Sequence, residues 1–134
     1  MAGFRGILER LTPRTLLRLA NDARDQRRWR DAAELYRGYL EKNEDSAPIW
    51  VQLGNMLKET GDLAAAEMAY YRALRLDRRN ADTYVQIGHV LKLYGDLETA
   101  VEQYKIAYGL DSELASARIE LGAALIPLSS LRRS

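Results

Sequence analysis

Apolar residues recur along this chain three and four positions apart. Trp50, Leu53, Gly54 and Leu57 form one such run, and Leu63, Ala66, Ala69, Tyr70 and Ala73 form the next. That spacing places side chains on one face of an α-helix, whereas a strand would alternate every second residue. Between the runs stands Thr60-Gly61-Asp62. The glycine suits the left-handed conformation that ends a helix, and the aspartate suits the cap of the next one. The pattern predicts seven helices: Pro13 to Gln26, Arg30 to Lys42, Ala47 to Thr60, Leu63 to Leu76, Ala81 to Tyr94, Leu97 to Leu110 and Ala115 to Ile126. Thr12 before Pro13 is a helix start. An eighth, short amphipathic helix is expected at the N-terminus, where Phe4, Ile7, Leu8 and Leu11 make one stripe.

The helices come in repeating pairs. "GNMLKETGDLAAAEMAYYRALRLD", from Gly54 to Asp77, returns 34 positions later as "GHVLKLYGDLETAVEQYKIAYGLD", from Gly88 to Asp111. The register pairs Gly54 with Gly88, Leu57 with Leu91, Gly61 with Gly95, Asp62 with Asp96, Ala66 with Ala100, Tyr70 with Tyr104 and Ala73 with Ala107. A weaker copy runs from Pro13 to Ser46; it keeps Leu19, Ala32 and Tyr36, and has Arg27 where the later copies have glycine. "ARIELGAAL" begins a fourth. The organisation is an amphipathic segment at 1–12, repeats at 13–46 (degenerate), 47–80 and 81–114, and a terminal helix of a truncated fourth unit with its tail at 115–134. Gly54 and Ala66, like Gly88 and Ala100, are expected to let two helix backbones approach closely, with the tyrosines filling the space beyond. A helix pair this short cannot bury its own apolar face, so successive pairs must stack.

Composition narrows the functional classes. The chain has 134 residues, 47% apolar and 29% charged, with 20 basic against 19 acidic groups and no cysteine. The near-balance removes the overall attraction to phosphate that marks many nucleic-acid binders. The missing cysteine removes disulfides and thiolate chemistry and fits a reducing compartment, with cytoplasm as the expected location. Arg5, Glu9 and Arg10 interrupt any secretory core, and no segment is long and apolar enough to span a membrane. There is no phosphate-binding glycine loop, and the single histidine, His89, has no metal-spaced partner. No catalytic residue, cofactor or metal ligand is assigned, and the chain reads as a binder and not an enzyme.

With these residues in place, the chain resembles a tetratricopeptide repeat array. The family pattern W-x2-L-G-x2-Y, A-x3-F, A is met by Trp50, Leu53, Gly54, Leu57, Ala66, Tyr70 and Ala73, and again by Tyr84, Ile87, Gly88, Leu91, Ala100, Tyr104 and Ala107. The proline usual near each unit's end is replaced by Glu44, Arg78 and Ser112. The resemblance implies an all-α, right-handed superhelical array of antiparallel helix pairs, three units plus a terminal helix. It also implies that the leading helix of each unit lines a concave groove for extended peptides. Carried over by position, the groove has three polar rows: Arg18, Gln52 and Gln86; Asn21, Asn55 and His89; and Arg24, Lys58 and Lys92. A side-chain amide donates and accepts at once, so Gln52 and Gln86 suit a peptide backbone of any sequence, and the basic row favours acidic side chains.

The chain does not match the family members that clamp a chaperone C-terminus, because Leu17 and Asp82 stand where lysines are needed and only Asn21 agrees. It is more similar to the arrays of O-linked N-acetylglucosamine transferases and related bacterial proteins. The leading expectation is therefore a scaffold binding an extended, acidic peptide segment. Three others stand beside it. Residues 1–46 carry ten basic and eight acidic groups while 81–114 carry two and six, which suits head-to-tail self-assembly. Ile119, Leu121, Leu125, Ile126 and Leu128 crowd the terminal helix, an apolar patch expected to self-associate together with Phe4 and Leu8, or to mark the N-terminal scaffold of a larger enzyme such as a glycosyltransferase. RNA binding through "RDQRRWR" is disfavoured, since its arginines alternate with Asp25 and Asp31 and Trp29 holds a core position.

Overall fold

The computed structural model describes the backbone of residues 2–133 and the side chains of 5–126. Those residues form eight helices and no strand: α1 (Ala2–Arg10), α2 (Pro13–Asp25), α3 (Trp29–Lys42), α4 (Ala47–Glu59), α5 (Leu63–Leu76), α6 (Ala81–Leu93), α7 (Leu97–Leu110) and α8 (Ala115–Arg133). No helix among them is long and apolar enough to cross a membrane. The chain divides into two units, Met1–Leu76 and Asp77–Ser134.

In the first unit α2 pairs with α3 and α4 with α5, and α3 packs on α4. Thr12 caps α2, its hydroxyl accepting from the Thr15 amide at 3.2 Å. The turns that close both hairpins are alike. The Asp62 amide bonds back to the Leu57 carbonyl and the Gly61 amide to Lys58, with Gly61 at φ 85°. In the first repeat Arg28 bonds to Ala23 and Arg27 to Arg24 in the same register, and Arg27 takes φ 59°. The degenerate repeat therefore keeps the glycine turn with an arginine in the left-handed region, where a Cβ costs about 1 kcal/mol. α1 rests on α3, and Lys42 Nζ donates to the carbonyls of Glu9 and Leu11 at 2.8 and 2.9 Å, closing the C-terminal end of α1.

In the second unit α6 pairs with α7, and α8 packs on both. Gly95 repeats the left-handed turn at φ 86°, and the Asp96 carboxylate caps α7 through the Thr99 amide at 3.2 Å. Two expectations need correction. The tyrosines do not fill space beyond the helix crossing: they lie on the glycines themselves. A Cβ built on Gly54 would stand 2.5 Å from Tyr70 Cε1, and one on Gly88 would overlap the Tyr104 ring in the same way. The terminal helix does not stop at Ile126 either, but runs through Pro127 to Arg133. Pro127 has no amide to donate, so the helix continues through it one backbone hydrogen bond short.

Candidate functional site

The leading helices carry the polar rows, and the tyrosines of the return helices organise them. In the first repeat the Tyr36 hydroxyl donates to Asn21 Oδ1 at 2.7 Å. Burial raises the Tyr36 phenol above its ordinary pKa, against the opposing pull of Arg24. The second repeat reproduces the contact, Tyr70 donating to Asn55 Oδ1 at 2.6 Å. Each asparagine thus has its carbonyl engaged inside its own repeat, with its amide N–H2 on the opposite side of the group. Both are half-buried.

The basic row is tied to the amide row. Arg24 Nη1 donates to Gln52 Oε1 and to the Tyr36 hydroxyl, each at 3.3 Å, while its Nη2 pairs with Asp25 at 3.0 Å. Arg18 is exposed, and Lys58 is half-buried. In the second unit Lys92 Nζ donates to Glu120 Oε2 at 2.8 Å. Arg24 to Gln52 and Lys92 to Glu120 both span 28 positions, so the same bridge joins one leading helix to the following one in each unit. Arg24 and Lys92 are therefore held in place by the following leading helix, a coupling that the three rows read separately do not reveal.

Glu120 is the residue that sequence reasoning missed. It stands 34 positions after Gln86 and so completes the first row; extending that row by one repeat would have found it. His89 Nε2 lies 3.5 Å from Glu120 Oε1, and the His89 ring meets Tyr104 edge-on at 6.1 Å. The Lys92 hydrogen bond, aided by His89, holds the Glu120 carboxyl below its ordinary value although burial works against it. Burial and the Glu120 carboxylate together push the Tyr104 phenol far above the usual range. Gln86 Nε2 donates to Asp82 Oδ1 at 3.4 Å on the same helix.

The structure separates the residues expected to self-associate. Ile119, Leu125 and Ile126 are exposed, but Leu8 is buried, facing Gly38 beneath α1, because α1 packs on α3 and takes that leucine into the core. Leu121 is half-buried. The side chains of Phe4 and Leu128 lie outside the described residues. Among the described residues no group of three or more His, Cys, Asp or Glu side chains is placed to hold a metal ion. In "RDQRRWR" Arg28 pairs with Asp31 at 2.8 Å, and Trp29 is half-buried at the edge of a shallow concavity of about 370 Å³ lined also by Arg28, Arg30, Asp31 and Thr60.

Comparison with known proteins accords with this geometry. Two tetratricopeptide repeat models match, one over residues 17–82 and one over 81–114. Among solved structures, MamA is similar at 25% identity and a TM-score of 0.82, over 88% of this chain and 69% of that one. The first TPR of Spaghetti (RPAP3), bound to the HSP90 peptide SRMEEVD, is similar at 19% identity and a TM-score of 0.81, over 87% of this chain and 93% of that one. An O-GlcNAc transferase from Thermobaculum terrenum is similar at 24% identity and a TM-score of 0.76, over 84% of this chain but 22% of that one. No curated protein matches this chain. With two family models spanning residues 17–114 and the same hairpin recurring under the same glycine and tyrosine, the chain belongs to the tetratricopeptide repeat family.

Proposed function

We propose that this chain is a protein-interaction scaffold that holds an extended peptide against its leading helices. Repeats of this family are generally interaction modules. The observation that carries the reading is the pair of tyrosine-to-asparagine hydrogen bonds, at 2.7 and 2.6 Å, in two consecutive repeats. Each holds an amide in one orientation through its carbonyl, so a peptide carbonyl that reaches the remaining N–H2 donors meets a group whose ordering cost is already met. Gln52 adds donors beside Asn55: its Oε1 is occupied by Arg24, which leaves its N–H2 group for a second carbonyl. Acidic side chains are favoured on the first unit, where Arg18, Arg24 and Lys58 stand on the leading helices. An acidic peptide, SRMEEVD, occupies the Spaghetti repeat domain, which supports the ligand class without assigning that ligand here.

The test is selection from a library of random peptides displayed on phage, on the unmodified chain and on a Gln52→Ala, Lys58→Glu variant. Enriched extended sequences carrying Asp or Glu are expected. The variant should bind them more weakly by about 1 kcal/mol for each hydrogen bond lost, with a charge component that fades as salt rises. Equal binding of the selected peptides to both proteins would place the site elsewhere.

A further inference from the structure

The four leading helices are not equally covered. In α4, Val51 and Leu57 flank Gly54 and are 8% and 6% exposed; in α6, Val85 and Leu91 flank Gly88 and are 0% and 8% exposed. The return helices α5 and α7 lay Tyr70 and Tyr104 on the two glycines. The counterparts on α8 are Ile119, Gly122 and Leu125. Here Ile119 is 66% exposed and Leu125 40%, and a Cβ built on Gly122 would meet nothing within 4 Å. Helical periodicity puts these three on one face, with Arg118 one turn before the glycine. The opposite face of α8 holds Ala117 and Ala124, which are buried in the second unit.

We propose that the face of α8 centred on Gly122 is a docking site for one amphipathic helix of a partner protein, inserting an aromatic side chain over the glycine. The molecule itself twice displays what fits such a face. α5 and α7 each present an alanine, a tyrosine four residues later and an alanine three residues after that: Ala66, Tyr70, Ala73 and Ala100, Tyr104, Ala107, all buried. The small residues let the backbones close in, and the ring fills the hollow left by the missing Cβ. Charge refines the match. In the second repeat Arg72, two positions after the tyrosine, lies over the Trp50 ring at 5.3 Å from its centroid. Arg118 stands at the place of Trp50, so the partner residue two positions after the aromatic is a carboxylate. The expected partner helix therefore reads Ala, three residues, Tyr or Phe, one residue, Asp or Glu, then Ala.

The probe is a fluorescein-labelled peptide with the sequence of residues 97–110, held helical by a lactam bridge across its solvent face, and binding is followed by anisotropy. The unmodified chain should bind it, and a peptide carrying Ile106→Glu should bind about threefold tighter at low salt, a gain that disappears at high salt. Gly122→Ala in the full chain should weaken binding at least about tenfold, since a methyl there blocks the ring. The same variant must not unfold more easily, because nothing surrounds that position; Ile119→Lys, also exposed, should weaken binding independently. Undetectable binding at about 1 mM peptide, or equal affinity for unmodified chain and Gly122→Ala, overturns the proposal. So does sedimentation showing a dimer that Gly122→Ala dissociates and the peptide cannot compete with, which would make a second copy the occupant.

Discussion

Alanine substituted at Gly54, Gly88 and Gly122 is one chemical change in three equivalent helical places, and the structure predicts opposite signs. In a helix, glycine to alanine is favourable by about 1 kcal/mol through lost unfolded-state freedom and gained propensity. At Gly122 nothing opposes that gain. At Gly54 the new Cβ would stand 2.5, 2.7 and 2.9 Å from three atoms of the Tyr70 ring, and at Gly88 it would lie 2.8 Å from two atoms of the Tyr104 ring and nearer still to Cε1. Neither ring has room to leave. Both tyrosines are fully buried, and Tyr70 is anchored through its hydroxyl to Asn55. Overpacking of this kind costs about 1–3 kcal/mol, so the net change at Gly54 or Gly88 is a loss reaching about 2 kcal/mol. The first repeat, built around a fully buried Ala20 at this place, marks the lower limit: a helix pair able to relax to that spacing would lose little. Urea unfolding followed by circular dichroism separates the cases. With m near 1–2 kcal/mol per M, the Gly88→Ala and Gly122→Ala midpoints should lie about 1–2 M apart, on either side of the unmodified chain. Midpoints that move together, or a Gly88→Ala protein more stable than the unmodified one, would refute the view that the glycine exists to seat the tyrosine.

Two further outcomes follow from single residues. Arg27 occupies a left-handed conformation that its counterparts assign to glycine, so Arg27→Gly should stabilise the first repeat by about 0.5–1 kcal/mol once the extra freedom of unfolded glycine is subtracted; a lowered thermal midpoint would contradict it. Glu120 has its folded pKa lowered by Lys92 and His89, so its contribution is full above the ordinary carboxylate value of 4.5 and is lost as pH falls through the lower folded value. Glu120→Gln should therefore flatten the loss of stability on acidification, read as urea midpoints at neutral pH and on the acid side of that range; an unchanged acid slope would show that the carboxylate contributes nothing.

Much of the architecture is local in origin, and the sequence alone determined it. Periods of three and four set the helices, glycine and aspartate at fixed offsets set the hairpin turns, and a spacing of 34 set the repeats. The first two depend on neighbours within a few residues, which is why boundaries held to within one residue for every helix from α2 to α7. The N-terminal helix was visible as a stripe, but its side-chain roles were not: burial of Leu8 depends on α3, about thirty residues away. The polar rows were equally visible as positions. What the tertiary structure decided was their chemistry. The Asn21 and Asn55 carbonyls are engaged only because tyrosines fifteen residues later bond to them, and Arg24 and Lys92 became tethered cations only because the next leading helix brings Gln52 and Glu120 within reach. Gly54, Gly88 and Gly122 hold the same repeat position, 34 residues apart, and packing distinguishes two filled hollows from one that stands open. A residue's type and period select the face it occupies, whereas its partners come from other segments of the chain, and hydrogen bonds and steric contacts are settled by those partners.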